Sequence, residues 1–293
     1  MTLSEHERQA RRALRLAGVD SPELCGRLLA QRAFGLDHIK LVLAGERQAE
    51  PEEAARLARL VQRRSLGEPL AYILGKREFY GRDFLVSPAT LIPRPETELL
   101  IEAALDLAGQ GSATFADLGC GSGCIGLTLL CERPAWRGLL CDISPQALAV
   151  AAANAGQLGC EAAFLLADMR APPLKPASLD LVISNPPYIA TWDKRNVLPE
   201  TLAWEPHLAL FSEQDGLGHL QAAITAGQIC LKPGGWLIVE HGWRQRAAVQ
   251  TLFSRDGFTN LRGLNDLAGL PRCVCGQKGK LNGSIKRFRV DRD

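Results

Sequence analysis

The chain is short of net charge. Its 293 residues carry 34 lysines and arginines against 32 aspartates and glutamates, a formal +2. That balance gives no electrostatic ground for nucleic acid as the main partner. The nine cysteines include no CxxC pair and the five histidines do not cluster, so neither a metal site such as zinc nor a redox motif is supported. The opening residues, Met1–Glu7, contain no apolar h-region, and no later apolar run is long enough to span a bilayer. A soluble cytoplasmic protein with no membrane contact is expected. The length suits two domains and a large buried core.

Two local signals stand out. The first is Asn185-Pro186-Pro187-Tyr188, directly after the apolar run Leu179–Ser184, which reads as a buried strand. Two prolines fix φ and remove two backbone donors, so the chain continues neither as sheet nor as helix. The resulting stiff loop presents an amide, free carbonyls and an aromatic face. The Asn185 side-chain oxygen and the Pro186 carbonyl can each accept an N–H from a planar NH2 group, while Tyr188 packs on its flat face. Asn-Pro-Pro is also a plain loop former after a strand.

The second signal is Ala113–Leu118, a predicted strand, running into Gly119-Cys120-Gly121-Ser122-Gly123 and an apolar helix from about Cys124 to Cys131. Glycines permit a sharp turn and close approach to a ligand, and the helix start offers unpaired N–H groups. The next predicted strand, Gly138–Cys141, ends in Asp142, about 20 positions past the loop, where an acidic residue binds ribose hydroxyls. A GxGxxG frame on Gly121, Gly123 and Gly126 would suggest a dinucleotide, but it starts two residues too far from the strand. The frame Asp117-Leu118-Gly119-x-Gly121-x-Gly123 joins the strand end directly. Cys120 and Cys124 beside the loop read as small apolar filler.

That frame resembles motif I of the class I methyltransferases that use S-adenosylmethionine, and with the Asn-Pro-Pro-Tyr loop it resembles their amino-methyltransferase branch. Further segments narrow the resemblance: Glu68–Gly81, Leu91-Ile92-Pro93-Arg94-Pro95-Glu96-Thr97-Glu98, Trp204–Phe211, Asp215-Gly216-Leu217, Lys232–Gly235 and Glu240-His241-Gly242-Trp243. Together they look like the release factor glutamine N5-methyltransferase family (HemK/PrmC type), over nearly the whole chain to about Gln277. The related methyltransferase of a ribosomal-protein glutamine shares the Asn-Pro-Pro-Tyr loop but lacks the Ile92–Glu98 run.

The resemblance implies a doubly wound α/β fold, Rossmann-like, with a seven-stranded, mostly parallel sheet and a small N-terminal helical domain joined through a β-hairpin. It implies S-adenosylmethionine as cofactor, S-adenosylhomocysteine as product, no metal, and the glutamine of a class-I release factor's Gly-Gly-Gln loop as substrate. Gly119, Cys120, Gly121, Ser122 and Gly123 then approach the methionine portion, and Asp117 supports the loop and faces the cofactor's ammonium group. Asp142 takes the ribose hydroxyls, Asp168 accepts from the adenine amino group, and Met169 packs on adenine. Asn185, Pro186 and Tyr188 form the catalytic loop, with Pro187, Arg94 and Glu205 beside the substrate. Tyr188 either stacks on the amide or closes the pocket. Arg94 and Glu205 either support the pocket or touch the substrate.

Along the chain, residues 1–70 read as the helical domain, with Leu24, Leu28 and Leu29, and Leu57, Leu60 and Val61, at helical spacing. Ser21 is the predicted N-cap of a helix with Pro22 in its first turn. Arg8, Arg11, Arg12 and Arg15 share one helix face, either a solvated face or a contact for a negatively charged partner. Residues 71–95 form the hairpin and the stiff Pro93-Arg94-Pro95 linker, and 96–277 the methyltransferase domain, closed by an antiparallel edge near 259–263 and 272–276. Residues 278–293 read as a basic flexible tail. A monomer is expected. Competing readings are a nucleic-acid amino-methyltransferase acting on adenine N6 or cytosine N4, a non-catalytic cofactor-binding module, and an NAD-dependent oxidoreductase. Base-flipping enzymes need a basic recognition surface, which this composition does not supply.

Overall fold

The computed structural model describes residues 1–279. Five helices lead: α1 (Leu3–Leu16), α2 (Pro22–Phe34), α3 (His38–Leu43), α4 (Pro51–Ser65) and α5 (Leu70–Leu74). Thr2 caps α1 reciprocally: its hydroxyl accepts the Glu5 N–H at 3.2 Å while the Glu5 carboxylate accepts the Thr2 N–H at 2.8 Å. Ser21 does sit at the N-cap of α2, but in the left-handed region with φ 51°, and its side chain makes no capping bond. The helical core is Leu3, Leu14, Leu29 and Leu57 with small neighbours such as Cys25, Ala30 and Ala33. Leu24 is exposed rather than buried, because the small residues of α2 take the interface. On α1, Arg11 and Arg15 pair with Glu7 and Glu23, which leaves a mostly solvated face.

The hairpin β1 (Lys76–Phe79) and β2 (Arg82–Leu85) turns at Tyr80–Gly81, both at positive φ (50° and 72°). Such two-residue turns match the twist of the strands. The turn therefore lies one to two residues earlier than the expected Gly81–Asp83, and Arg82 and Asp83 already belong to β2. Phe79 and Phe84 meet edge to face at 6.1 Å and are buried with Leu100, Ile101 and Phe115 of the sheet domain.

The remaining elements are α6 (Glu98–Leu107), β3 (Thr114–Leu118), α7 (Cys124–Glu132), β4 (Arg137–Asp142), α8 (Pro145–Leu158), β5 (Ala163–Leu166), β6 (Leu179–Ser184), β7 (Ile189–Ala190), α9 (Pro199–Trp204), β8 (Phe211–Ser212), α10 (Gly218–Cys230), β9 (Leu231–Glu240), α11 (Arg246–Arg255), β10 (Phe258–Asn265) and β11 (Pro271–Lys278). Seven strands form one sheet in the order β10-β11-β9-β6-β3-β4-β5. Its central strands β3 and β6 are buried along nearly their whole length, as required of parallel strands covered by helices on both faces. Only β11 runs against the rest. It is inserted between β9 and β10, so the outermost strand, β10, is parallel to the sheet, and β10 with β11 makes the expected antiparallel edge.

β7 and β8 pair on their own and bracket α9. This excursion meets the helical domain, where Arg64 of α4 bonds Glu200 of α9 at 2.6 Å. Lys278, taken from sequence as the start of a tail, ends β11 and donates to the Leu231 carbonyl at 2.8 Å. The rest of that expected tail, residues 280–293, lies outside the described residues.

Candidate active site

A cavity of about 480 Å³ opens at the carboxyl ends of β3, β4, β5 and β6, where open α/β sheets bind ligands. Gly119, Cys120, Gly121 and Ser122 form one wall. Asp142, Asp168, Met169, Asn185, Pro187 and Arg94 face the same space. The glycine loop folds back over β4, with the N–H groups of Gly119 and Cys120 both donating to the Cys141 carbonyl (2.8 and 2.9 Å). Gly119 has φ +75°, and a Cβ there would lie 2.8 Å from the Met169 methyl. Gly123 sits behind the wall as the N-cap of α7, also at positive φ.

Asp142 holds the loop while facing the cavity. Its Oδ2 accepts the Gly121 N–H at 2.8 Å and its Oδ1 the Ser144 N–H at 2.9 Å. Asp168 is engaged by Arg170, whose guanidinium donates to Oδ1 at 3.1 Å and to Oδ2 at 2.9 and 2.6 Å and holds its carboxyl below the usual range. Asp117 is not on the cavity wall. It is fully buried beneath the loop, and its Oδ2 accepts the Gly126 N–H at 3.0 Å. Burial pushes its pKa up to about 7. Its Oδ1 has no hydrogen-bond partner among the described residues.

The Asn185 side chain is fixed by residues remote in sequence. Its Nδ2 donates to Thr97 Oγ1 at 3.1 Å, and the Thr97 hydroxyl donates to Glu240 Oε2 at 2.7 Å. The Pro186 ring is buried, and its carbonyl accepts no hydrogen bond among the described residues. Tyr188 is turned away from the cavity. Its ring packs into the apolar cluster around β9, and its O–H donates to Glu240 Oε1 at 3.3 Å. The Tyr188 ring is not among the residues that line the cavity. The Tyr188 carbonyl accepts from Gln245 Nε2 at 3.0 Å, and Gly216 comes so close that a Cβ there would lie 2.3 Å from that carbonyl oxygen. Glu205 is buried too. It pairs with Arg94 and accepts the Ile92 N–H at 3.0 Å. Of that pair only Arg94 lines the cavity.

Sequence reasoning missed Thr97, His219, Glu240 and Asn154. Thr97 and His219 line the cavity. His219 Nδ1 meets Ser212 Oγ at 2.8 Å, and burial holds its pKa below the ordinary value. The signal for Glu240 was a carboxylate closing the apolar run Trp236–Val239. Asn154 is fully buried and joins the hairpin to the loop. Its Oδ1 accepts the Leu85 N–H (2.7 Å), and its Nδ2 donates to the carbonyls of Leu85 (3.0 Å) and Ser122 (2.8 Å).

Residues 6–75 match the family described as PrmC N-terminal domain, and residues 95–208 that described as Methyltransferase small domain. A release factor glutamine methyltransferase of Nitratidesulfovibrio vulgaris is 41% identical over 284 residues, covering 96% of each chain. The chain belongs to the release factor glutamine methyltransferase family. One of the same name from Koribacter versatilis is 40% identical over 95% of this chain and 99% of its own. Among solved structures, a methyltransferase from Pyrococcus furiosus aligns with TM-score 0.51 at 12% identity, over 77% of this chain and 99% of its own, a likeness of fold.

The protein is thus an enzyme, a glutamine methyltransferase, and its family and fold imply S-adenosylmethionine. The cavity suits that group. Its volume is in the range of cofactor pockets, Gly119 leaves open a wall that a side chain would fill, Asp142 offers a carboxylate, and Met169 offers an apolar face. Among the described residues no helix is long and apolar enough to cross a membrane.

Proposed function

We propose that this methyltransferase acts in the cytoplasm, as a monomer, on the N5 side-chain amide of the glutamine in the Gly-Gly-Gln loop of class-I peptide chain release factors, with S-adenosylmethionine as donor. The observation that carries the reading is the orientation of Asn185. With Nδ2 committed to Thr97, its Oδ1 is left as an acceptor at the cavity, and the carbonyl of the next residue, Pro186, accepts no hydrogen bond among the described residues. Two acceptors on a stiff loop match the two N–H bonds of a primary amide. The names of the relatives support the same substrate.

An amide nitrogen is a poor nucleophile because its lone pair is delocalised. Accepting both N–H bonds raises electron density on nitrogen and favours its pyramidal transition state. Holding the amide in one orientation supplies several kcal/mol more. S-adenosylmethionine, when bound, contributes an already activated methyl on a sulfonium. Gly119–Ser122, Asp142 and Met169 would hold it, and Arg94, clamped by Glu205, shapes the other side of the cavity. The helical domain serves as a second contact for the folded factor, remote from the chemistry, whose binding energy positions the glutamine.

The test is incubation with labelled S-adenosylmethionine and, in parallel, an intact release factor, an isolated Gly-Gly-Gln loop peptide, or duplex DNA. Label on the glutamine of the factor, with kcat/KM far above that of the peptide, is expected. Label on DNA would overturn the substrate. Equal kcat/KM for factor and peptide would remove the helical domain from recognition.

A further inference from the structure

We infer that Glu240 is a positioning residue of the methyl-transfer site, fixing through the Thr97 hydroxyl which end of the Asn185 amide faces the substrate. The inference deepens the function proposed above and rests on it for the identity of the substrate. Strand register supplies the placement. Ser184 of β6 lies beside Val239 of β9, so Asn185, the first residue past β6, comes out next to Glu240, the last residue of β9. Thr97 reaches the same point from the turn before α6.

Glu240 is 1% exposed, and burying a carboxyl in an apolar core is costly unless its oxygens are bonded. Both are bonded here, by the hydroxyls of Thr97 and Tyr188. A threonine hydroxyl has one proton and two lone pairs. When that proton goes to a carboxylate, Thr97 can only accept from Asn185, so the NH2 end of the amide is drawn to Thr97 and Oδ1 is turned away from it. A protonated Glu240 reverses the logic. Its own O–H can donate to Thr97, whose proton is then free to meet the amide oxygen, and the inverted amide is equally well bonded. The ionised carboxylate therefore selects the end that accepts N–H bonds.

Charged and titratable neighbours face Glu240 from several elements. Arg272 on β11 favours its ionised form and Glu96, in the turn before α6, opposes it. The phenol of Tyr188 contacts it, and the thiols of Cys124 on α7 and Cys273 on β11 lie within its field. Burial is the largest influence and brings its pKa up to about 7. Amide orientation should follow the ionisation of Glu240.

The experiment uses the full chain labelled with 15N. The side-chain NH2 resonances of Asn185, identified by their loss in Asn185→Asp, are followed from about pH 5.5 to 8.5, a window spanning the expected midpoint. They should titrate in the wild type, stay flat in Glu240→Gln and Thr97→Val, and titrate again in Thr97→Ser. Resonances flat in the wild type, or an unchanged titration in Glu240→Gln, would overturn the inference. Methylation is the second readout. Glu240→Gln should lower kcat by at least about tenfold, as for loss of one oriented active-site hydrogen bond, and abolish the loss of kcat below neutral pH. KM for S-adenosylmethionine should change little. Wild-type kcat and pH profile in that variant would also overturn it. A wild-type enzyme whose Asn185 resonances titrate but which leaves release factor unmethylated refutes the proposed substrate and supports the positioning role.

Discussion

Asp142→Asn changes almost no volume, yet it turns one acceptor oxygen into a donor and removes a charge. Both oxygens of Asp142 are engaged from the protein side, by the N–H groups of Gly121 (2.8 Å) and Ser144 (2.9 Å). An asparagine there satisfies one of these donors and sets its own NH2 against the other. Hydrogen bonds to a charged group contribute about 1.5–3 kcal/mol each. One is lost outright, the glycine loop loses its anchor or the start of α8 does, and the acceptor pair expected to take ribose hydroxyls is halved. At about 1.4 kcal/mol per tenfold, affinity for S-adenosylhomocysteine should fall by roughly ten- to a hundredfold. Asp142→Ala, which removes both acceptors, should fall further. Isothermal titration of the full chain is the assay, with circular dichroism to show that each variant is folded. Dissociation constants within about twofold of wild type for both variants would mean that the carboxylate neither binds the ribose nor shapes the loop that does.

Asn185→Ala should lower kcat by about a hundredfold or more while leaving S-adenosylhomocysteine affinity nearly unchanged; near wild-type turnover would remove Asn185 from the mechanism. Asn154→Ala leaves the Leu85 N–H and the carbonyls of Leu85 and Ser122 without partners, a loss of about 3 kcal/mol in urea unfolding. A change within error of zero would show that the site relaxes around the deletion. Asp117 has its folded pKa raised from 3.8 to about 7, so the folded protein binds this proton more tightly than the unfolded chain. Its contribution to stability is full below the unfolded value and is lost as pH rises through the folded one. Asp117→Asn should therefore flatten the decline in unfolding free energy between pH 5 and pH 8, and a decline as steep as that of wild type would assign the effect elsewhere.

The parts of the site legible in sequence are those where local chemistry fixes the backbone. Two prolines after an apolar strand, glycines after another and acids at strand ends reveal Asn185, Gly119–Ser122, Asp142 and Asp168 without any knowledge of packing. What stayed hidden depends on contacts between distant segments. Thr97 and Glu240 are 143 positions apart, and Asn185 and Thr97 are 88. Tyr188 and Glu205 were placed in the right neighbourhood, but which way each side chain turns is decided by what lies behind the loop: a buried carboxylate for the phenol, Arg94 and the Ile92 N–H for Glu205. The order of the last two strands was illegible for a similar reason, since the pairing that puts β11 inside β10 joins segments whose own residues do not record it.

The Asn154 bridge bears on how the polypeptide can be divided. A cut at residue 96, the expected start of the methyltransferase domain, would discard the hairpin with the helices. That cut would uncover the face of Leu100, Ile101 and Phe115 now covered by Phe79 and Phe84. It would also strand an amide built to read the backbone of Leu85 on one side and Ser122 on the other. A stand-alone catalytic fragment should accordingly begin ahead of Lys76, so that the hairpin travels with the sheet as its outer wall.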